Sequence, residues 1–219
     1  QGMDMPTGQE GPAAEQLAQR ILDACNVDAW DQTRYVQWTF AGSNSYLWDR
    51  TLGKVEVVSG HQRVILNTAD RSGVAFDAGQ QLEGEDAEEA LTSAWARFCN
   101  DSFWLIAPFK VKDPGTHREY VETEEGPGLL VKYSSGGVTP GDSYLWYVAE
   151  DGFPYAYRMW TSILPVPGMR ASWEEWTTLH TGAKVATVHA LGPAQVNITD
   201  LASASSLEEL GLPAERLEP

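Results

Sequence analysis

Between Ala13 and Ala24, in AAEQLAQRILDA, Leu17, Ile21 and Leu22 recur at helical spacing with Glu15, Gln19 and Asp23 opposite. That pattern predicts an amphipathic helix, with Asn26 and Asp28 placed to close it. The period then drops to two. In TRYVQWTF, Val36, Trp38 and Phe40 alternate with Tyr35, Gln37 and Thr39, and SYLWDRTLGKVEVV reads as two extended arms around Asp49 to Gly53. Gly53 is placed to supply the positive φ of a bulged hairpin. QRVILNT and GVAFD follow as two more strands, with turns at Gly42, Gly53, Gly60 and Gly73.

The meander is interrupted from Gly84 to Pro108. GEDAEEALTSAWARFCND opens on acidic residues, which suit the positive end of a helix dipole, and places Leu91, Trp95, Phe98 and Ser102 along one stripe. Pro108 must end or kink whatever continues past Asn100. A second run of strands follows in HREYVETE, GLLVKYSS, DSYLWYVAE, FPYAYRMWTSI, WEEWTTLHTGAKVATVHAL and AQVNITDLA, with turns at Gly136-Gly137, Pro140-Gly141 and Asp151-Gly152. Several of these strands are apolar on both faces. SYLWYV sets Tyr144, Trp146 and Val148 against Leu145 and Tyr147, and FPYAYRMW sets Phe153, Tyr155, Tyr157 and Met159 against Trp160 beside Arg158. A one-sided sheet alternates more cleanly. The pattern therefore predicts a mainly β protein with helices (α+β), its antiparallel sheet strongly curved into a barrel or half-barrel whose concave face the helices fill in part. No break in composition divides it. Residues 1–12 are expected as a flexible tether, 13–202 as one domain and 203–219 as a C-terminal tail.

Composition adds exclusions. The 219 residues are 42% hydrophobic and carry a net charge of −16, which argues against binding nucleic-acid phosphates or anionic lipid headgroups. Only five of the fifteen basic residues are Lys, a balance that would suit a high-salt milieu and predicts stability that is lost as ionic strength is lowered. Cys25 and Cys99 allow one disulfide or two free thiols. The opening QGMDMPTGQEGPAAEQ has no charged region followed by an apolar one, so the chain either was not exported or has lost a signal.

The aromatic strand TRYVQWTF, the hairpin YLWDRTLGKVEV, the segment NDSFWLIAPFKVKDPG and the late DGFPYAYRMWTS with WEEW carry a resemblance. In this order, with a helix before them and a helical insertion between, they resemble the LolA/LolB-like bacterial lipoprotein-carrier fold and its periplasmic and outer-membrane lipoprotein relatives. The likeness spans roughly Ala13 to Leu201. It implies a half-barrel with a helical lid, an apolar place for acyl chains, a location in the bacterial cell envelope (periplasmic or anchored at the outer membrane through a removed N-terminus), and no enzymatic activity. The family's functional basic residue finds no matching motif here. Arg34, Arg50 and Arg158 are all arguable, and none is carried over.

The uninterrupted row Phe103, Trp104, Leu105, Ile106, Ala107, Pro108, Phe109 then has two readings, the end of a displaceable lid or a permanent plug of the core. Burying an acyl chain gains about 0.8 kcal/mol per CH₂, enough to offset the contacts a lid would lose. Catalytic patterns are lacking. His61, His117, His180 and His189 are scattered, the acidic clusters lack the order of a calcium loop, no G-x-S-x-G or phosphate-binding loop occurs, and GDSY at Gly141 to Tyr144 lies without supporting blocks. The expected function is accordingly a non-enzymatic, cofactor-free and monomeric protein that binds a lipid or lipidated partner. The expected lining is Trp38, Trp48, Trp95, Phe103, Trp104, Phe109, Trp146, Tyr155, Tyr157 and Met159. A protein–protein interaction module with a closed core is the alternative, and a barrel-type hydrolase a third.

Overall fold

The computed structural model describes residues 2–134, 141–162 and 166–218; the turn expected at Gly136-Gly137 and Pro140 lies outside them. The chain is mainly β, as the periodicity predicted. Helices α1 (Pro12–Cys25) and α2 (Val27–Asp31) precede strands β1 (Tyr35–Phe40), β2 (Asn44–Asp49), β3 (Lys54–Ser59), β4 (Gln62–Asn67), β5 (Gly73–Asp77) and β6 (Gln80–Gln81). Helix α3 (Gly84–Ile106) and a 3₁₀ turn (Ala107–Lys110) lead to β7 (Thr116–Thr123), β8 (Gly126–Tyr133), β9 (Ser143–Val148), β10 (Pro154–Trp160), β11 (Met169–Ser172), β12 (Glu174–Thr178), β13 (Lys184–Leu191) and β14 (Ala194–Ala204). Two open antiparallel sheets result. One runs β12-β13-β14-β1-β2-β3-β4-β5-β6 and the other β11-β10-β9-β8-β7, and neither closes into a barrel. No helix is long and apolar enough to cross a membrane among the described residues.

The chain gathers into two compact units. The first comprises Gln1–Val27, Leu105–Thr177 and Lys184–Val196, and the second Asp28–Trp104, Thr178–Ala183 and Asn197–Pro219. In the first unit, α1 starts on Pro12, whose missing N–H costs nothing in a first turn, and ends on Asn26 at φ 60. Its apolar stripe of Leu17, Ile21, Leu22 and Cys25 is buried, and the helix packs on β7, β8, β13 and the 3₁₀ turn. Each large aliphatic side chain buried there contributes roughly 1.5–3 kcal/mol. Burial pushes the Cys25 thiol up to about 12, and it is free, so no disulfide joins it to Cys99. Pro108 marks the end of α3, as expected. The helix continues through the apolar row to Ile106, and Pro108 occupies the first turn of the 3₁₀ segment, where a proline is tolerated. Leu105, Ala107 and Phe109 are buried core residues.

All six residues of β9 are buried, which bears out the two-sided apolar reading. One facial assignment needs correcting. Pro154 pairs with Val148 and Ala156 with Tyr147, so β10 holds one residue too many at Tyr155. This bulge turns Tyr155 away from Tyr157 and onto the face of Val121, Leu130, Leu145, Tyr147 and Ala156. Trp160 packs on that same face.

Residues 2–11, expected as a tether, are held against the first unit. The Met3 N–H donates to the Pro167 carbonyl at 2.9 Å, and Gln9 and Tyr120 exchange backbone bonds at 2.9 and 2.8 Å. The Gly8 N–H donates to Glu119 Oε2 at 2.9 Å. Glu119 also accepts from Lys132 Nζ, and that bond holds its carboxyl below the usual carboxylate range, against the opposing effect of burial. The folded pKa lies below the unfolded one, so the stability Glu119 contributes is present above its unfolded value near 4.3 and is lost as pH falls through the folded value. Amide exchange of Gly8 and Gln9, corrected for intrinsic rates, should lose protection between about pH 5 and pH 3. Protection that stays level across this range would exclude Glu119 as the latch.

In the second unit, β1 to β6 form the expected meander, with Gly53 at φ 65 in the β2–β3 turn. The C-terminal segment is stitched down. Leu207 and Leu217 bury against Tyr35 and Leu47, and buried Glu56 is clamped by Arg63 at 2.5 Å and Arg216 at 2.8 Å.

Candidate functional site

The candidate site is an aromatic layer in the second unit, between α3 and the first two strands. Period two puts Trp38 and Tyr46 on one face of adjacent strands, and their register pairs them directly, so the rings stack with centroids 4.7 Å apart and 18° between planes. Helical spacing puts Trp95 and Phe98 on one side of α3. Phe98 then sits among four rings, 5.2 Å from Trp48, 6.0 Å from Trp95, 6.3 Å from Tyr46 and 6.4 Å from Trp38. Trp30 of α2 extends the layer, 6.2 Å from Trp48.

Its polar edges differ in how well they are satisfied. Asp101, buried on α3, accepts from Tyr46 Oη at 2.5 Å, Asn44 Nδ2 at 2.9 Å and Asn100 Nδ2 at 2.8 Å. Burial, and then the bond to Asp101, pushes the Tyr46 phenol far up, so it stays a donor. The indole N–H groups of Trp38, Trp48 and Trp95 are enclosed with no acceptor, and so is Nε of Arg50. The Arg50 guanidinium lies 3.8 Å over the Trp30 ring and 5.5 Å from the Trp48 ring, and Nη1 donates to the carbonyls of Trp30 and Thr33. Burial pulls its pKa down to about 10, opposed by the charge of Asp31. No carboxylate pairs with it among the described residues. Arg34, by contrast, is 3.0 Å from Asp49, and Arg158 donates to Tyr147 Oη and the Gly168 carbonyl.

The ten residues expected as a single lining fall into two groups. Trp38, Trp48 and Trp95 meet around Phe98, and Phe103 and Trp104 stand half-buried further along α3 in the same unit. Phe109, Trp146, Tyr155, Tyr157 and Met159 belong to the other unit. There Trp146 and Tyr157 are wholly enclosed, in contact with Trp173 at 5.0 and 5.5 Å, and Trp173 meets His189 at 4.5 Å. Tyr155 is set apart on the opposite face by the bulge. The pattern missed Trp30, Tyr46, Asp101 and Trp173. For Tyr46 the strand register was the available signal, because it pairs with Trp38 across the hairpin.

Little else assembles chemically. Ser143 of GDSY is buried. The exposed His180 ring meets Ser203 Oγ at 2.7 Å, but that oxygen already accepts the His180 backbone N–H, and the other ring nitrogen faces Ser205 Oγ at 3.4 Å, with no carboxylate bonded to the ring among the described residues. No group of three or more His, Cys, Asp or Glu suited to a metal forms among the described residues.

No protein-family description matches the sequence, and no curated protein does. Among solved structures, the fold is similar to a DUF1329 family protein from Desulfovibrio piger, with 8% identity over 95% of this chain and 98% of that one and a TM-score of 0.48.

Proposed function

We propose that the chain is a cell-envelope binding protein for an acyl-bearing ligand, a lipid or a lipidated partner, held against the aromatic layer under α3. The observation that carries this reading is the enclosure of three indole N–H groups and Arg50 Nε around apolar rings with no acceptor among them. An unsatisfied enclosed donor costs about 1–3 kcal/mol, and a charged one more. An amphipathic molecule removes that cost. Its chain meets the faces of Trp38, Trp48, Trp95 and Phe98, and its ester, carboxylate or phosphate oxygens accept from the donors. The sequence resemblance to the lipoprotein-carrier fold supports the same ligand class and an envelope location. On this reading α3, with half-buried Trp95, Phe103 and Trp104, is the element that yields to an incoming chain.

Native mass spectrometry and organic extraction of protein purified from a bacterial host should recover an acyl-bearing species. A fluorescent fatty acid should bind, and Arg50→Met should weaken it roughly 10- to 100-fold, the value of a hydrogen bond to a charged donor. Protein free of any extracted lipid, with no fatty-acid binding in the wild type, would end this reading.

A further inference from the structure

The segment from Met3 to Gln9 crosses one face of the five-stranded sheet in the first unit. It is tied at the β10–β11 side through Met3 and Pro167 and at the β7 edge through Gln9 and Tyr120. Six extended residues reach about 20 Å, which matches four strand spacings of about 4.8 Å. Beneath it lies an apolar surface of Val121, Leu130, Leu145, Tyr147 and Ala156, with Trp160 beside it. The way the strap is held is informative. Trp160 Nε1 donates to the Met3 carbonyl at 2.8 Å, Met3 N–H reaches Pro167, Gly8 N–H reaches Glu119, and Gln9 uses both its backbone groups. Every one of these bonds is made by the strap's backbone. Met3 and Met5 are exposed. Gly8 is demanding, because a Cβ there would lie 2.5 Å from the Tyr120 carbonyl oxygen and 2.8 Å from the Glu119 Cβ.

A surface that grips main chain, asks for glycine at one place, half-buries Pro6 and leaves Met3 and Met5 exposed reads extended peptide chiefly as such, in the manner of strand addition at a sheet edge. We propose that this face is a docking groove for an extended, glycine-containing segment of a partner protein, which residues 2–9 occupy in cis. The cis segment keeps the apolar face covered until a competing segment displaces it. Release depends on few bonds, and the Glu119 carboxylate accepts from the strap's Gly8 N–H.

The test uses the full chain carrying Gly8→Leu, which expels its own strap, and a labelled peptide GMDMPTGQE followed by fluorescence anisotropy. The variant should bind this peptide roughly tenfold or more tightly than the wild type, whose tethered strap competes at high effective concentration. A peptide with both methionines, the aspartate and the threonine changed to alanine should bind within about threefold, since main chain carries the affinity. A peptide with its second glycine changed to leucine should not bind. If Gly8→Leu does not fold, Gln9→Pro, which removes the amide donated to Tyr120, carries the same expectations. Failure of a folded strap-released variant to bind any peptide overturns the proposal, as does loss of binding to the alanine peptide. Exchange of straps into a stable dimer that the peptide cannot dissociate, seen by light scattering of mixed wild type and variant, would make a second copy the occupant and overturn it too. Lipid content is untouched by these outcomes, so they are separable from the ligand reading above.

Discussion

Phe98→Ala is expected to lower the unfolding free energy by about 3–5 kcal/mol, the usual cost of truncating a well-packed aromatic. Phe98 is the hub of the aromatic layer, touched by Trp38, Tyr46, Trp48 and Trp95 and nearly closed to solvent. Removing its ring leaves a void lined by three indoles whose N–H groups already lack acceptors. Two of those rings are anchored on β1 and β2 and the third on α3, so they do not all collapse inward. Chemical denaturation followed by tryptophan fluorescence measures the loss. A change below about 1 kcal/mol would mean that the layer is loosely packed and that Phe98 does not organise it. The same variant bears on function. If the layer takes an acyl chain, the void enlarges the room for one, and added fatty acid should restore part of the lost stability through preferential binding to the folded state.

Trp146→Ala is expected to cost a similar ~3–5 kcal/mol, for a different reason. Trp146 is fully enclosed, with Tyr157 edge-on at 4.9 Å and Trp173 at 5.0 Å. It was expected to line a ligand, and its indole N–H, like those of Trp38, Trp48 and Trp95, is enclosed without an acceptor among the described residues. Trp146→Phe, which keeps a ring, should cost appreciably less. Fatty acid should not rescue Trp146→Ala. The pair of variants therefore separates residues that support the fold from residues that meet a ligand, and rescue of both by lipid would show that the division drawn here is misplaced.

The elements with a sustained period were legible in the chain. Helix α1, strands β1 to β5, the long α3 and the two-sided β9 all announced themselves, because each buries its pattern against something. Short elements did not. The five residues of α2 are too few for a helical period, β6 has two residues, the four residues of β11 fell between two expected strands, and β12 and β13 were read as one run. Pro108 acted as expected, since α3 ends at Ile106 and the proline sits in the 3₁₀ turn that follows. The strap was invisible for a stronger reason. Its attachments are made by backbone, and backbone bonds leave no mark in side-chain polarity. Aromatic membership of the site was readable for Trp38, Trp48 and Trp95, yet no pattern distinguishes an indole with an acceptor from one without. Arg50 resembled Arg34 and Arg158 in sequence. Only position told them apart, one beside Asp49, one beside Tyr147 and the Gly168 carbonyl, and one over Trp30 with carbonyls for company.

The supernumerary Tyr155 carries an evolutionary corollary. Because Pro154 and Ala156 already oppose neighbouring residues of β9, excising Tyr155 would leave an uninterrupted ladder and keep every later side chain on its present side. A single-codon deletion at this spot is thus the gap that descendants of this gene can absorb within β10, whereas the same deletion at Tyr157 would invert the strand's remainder.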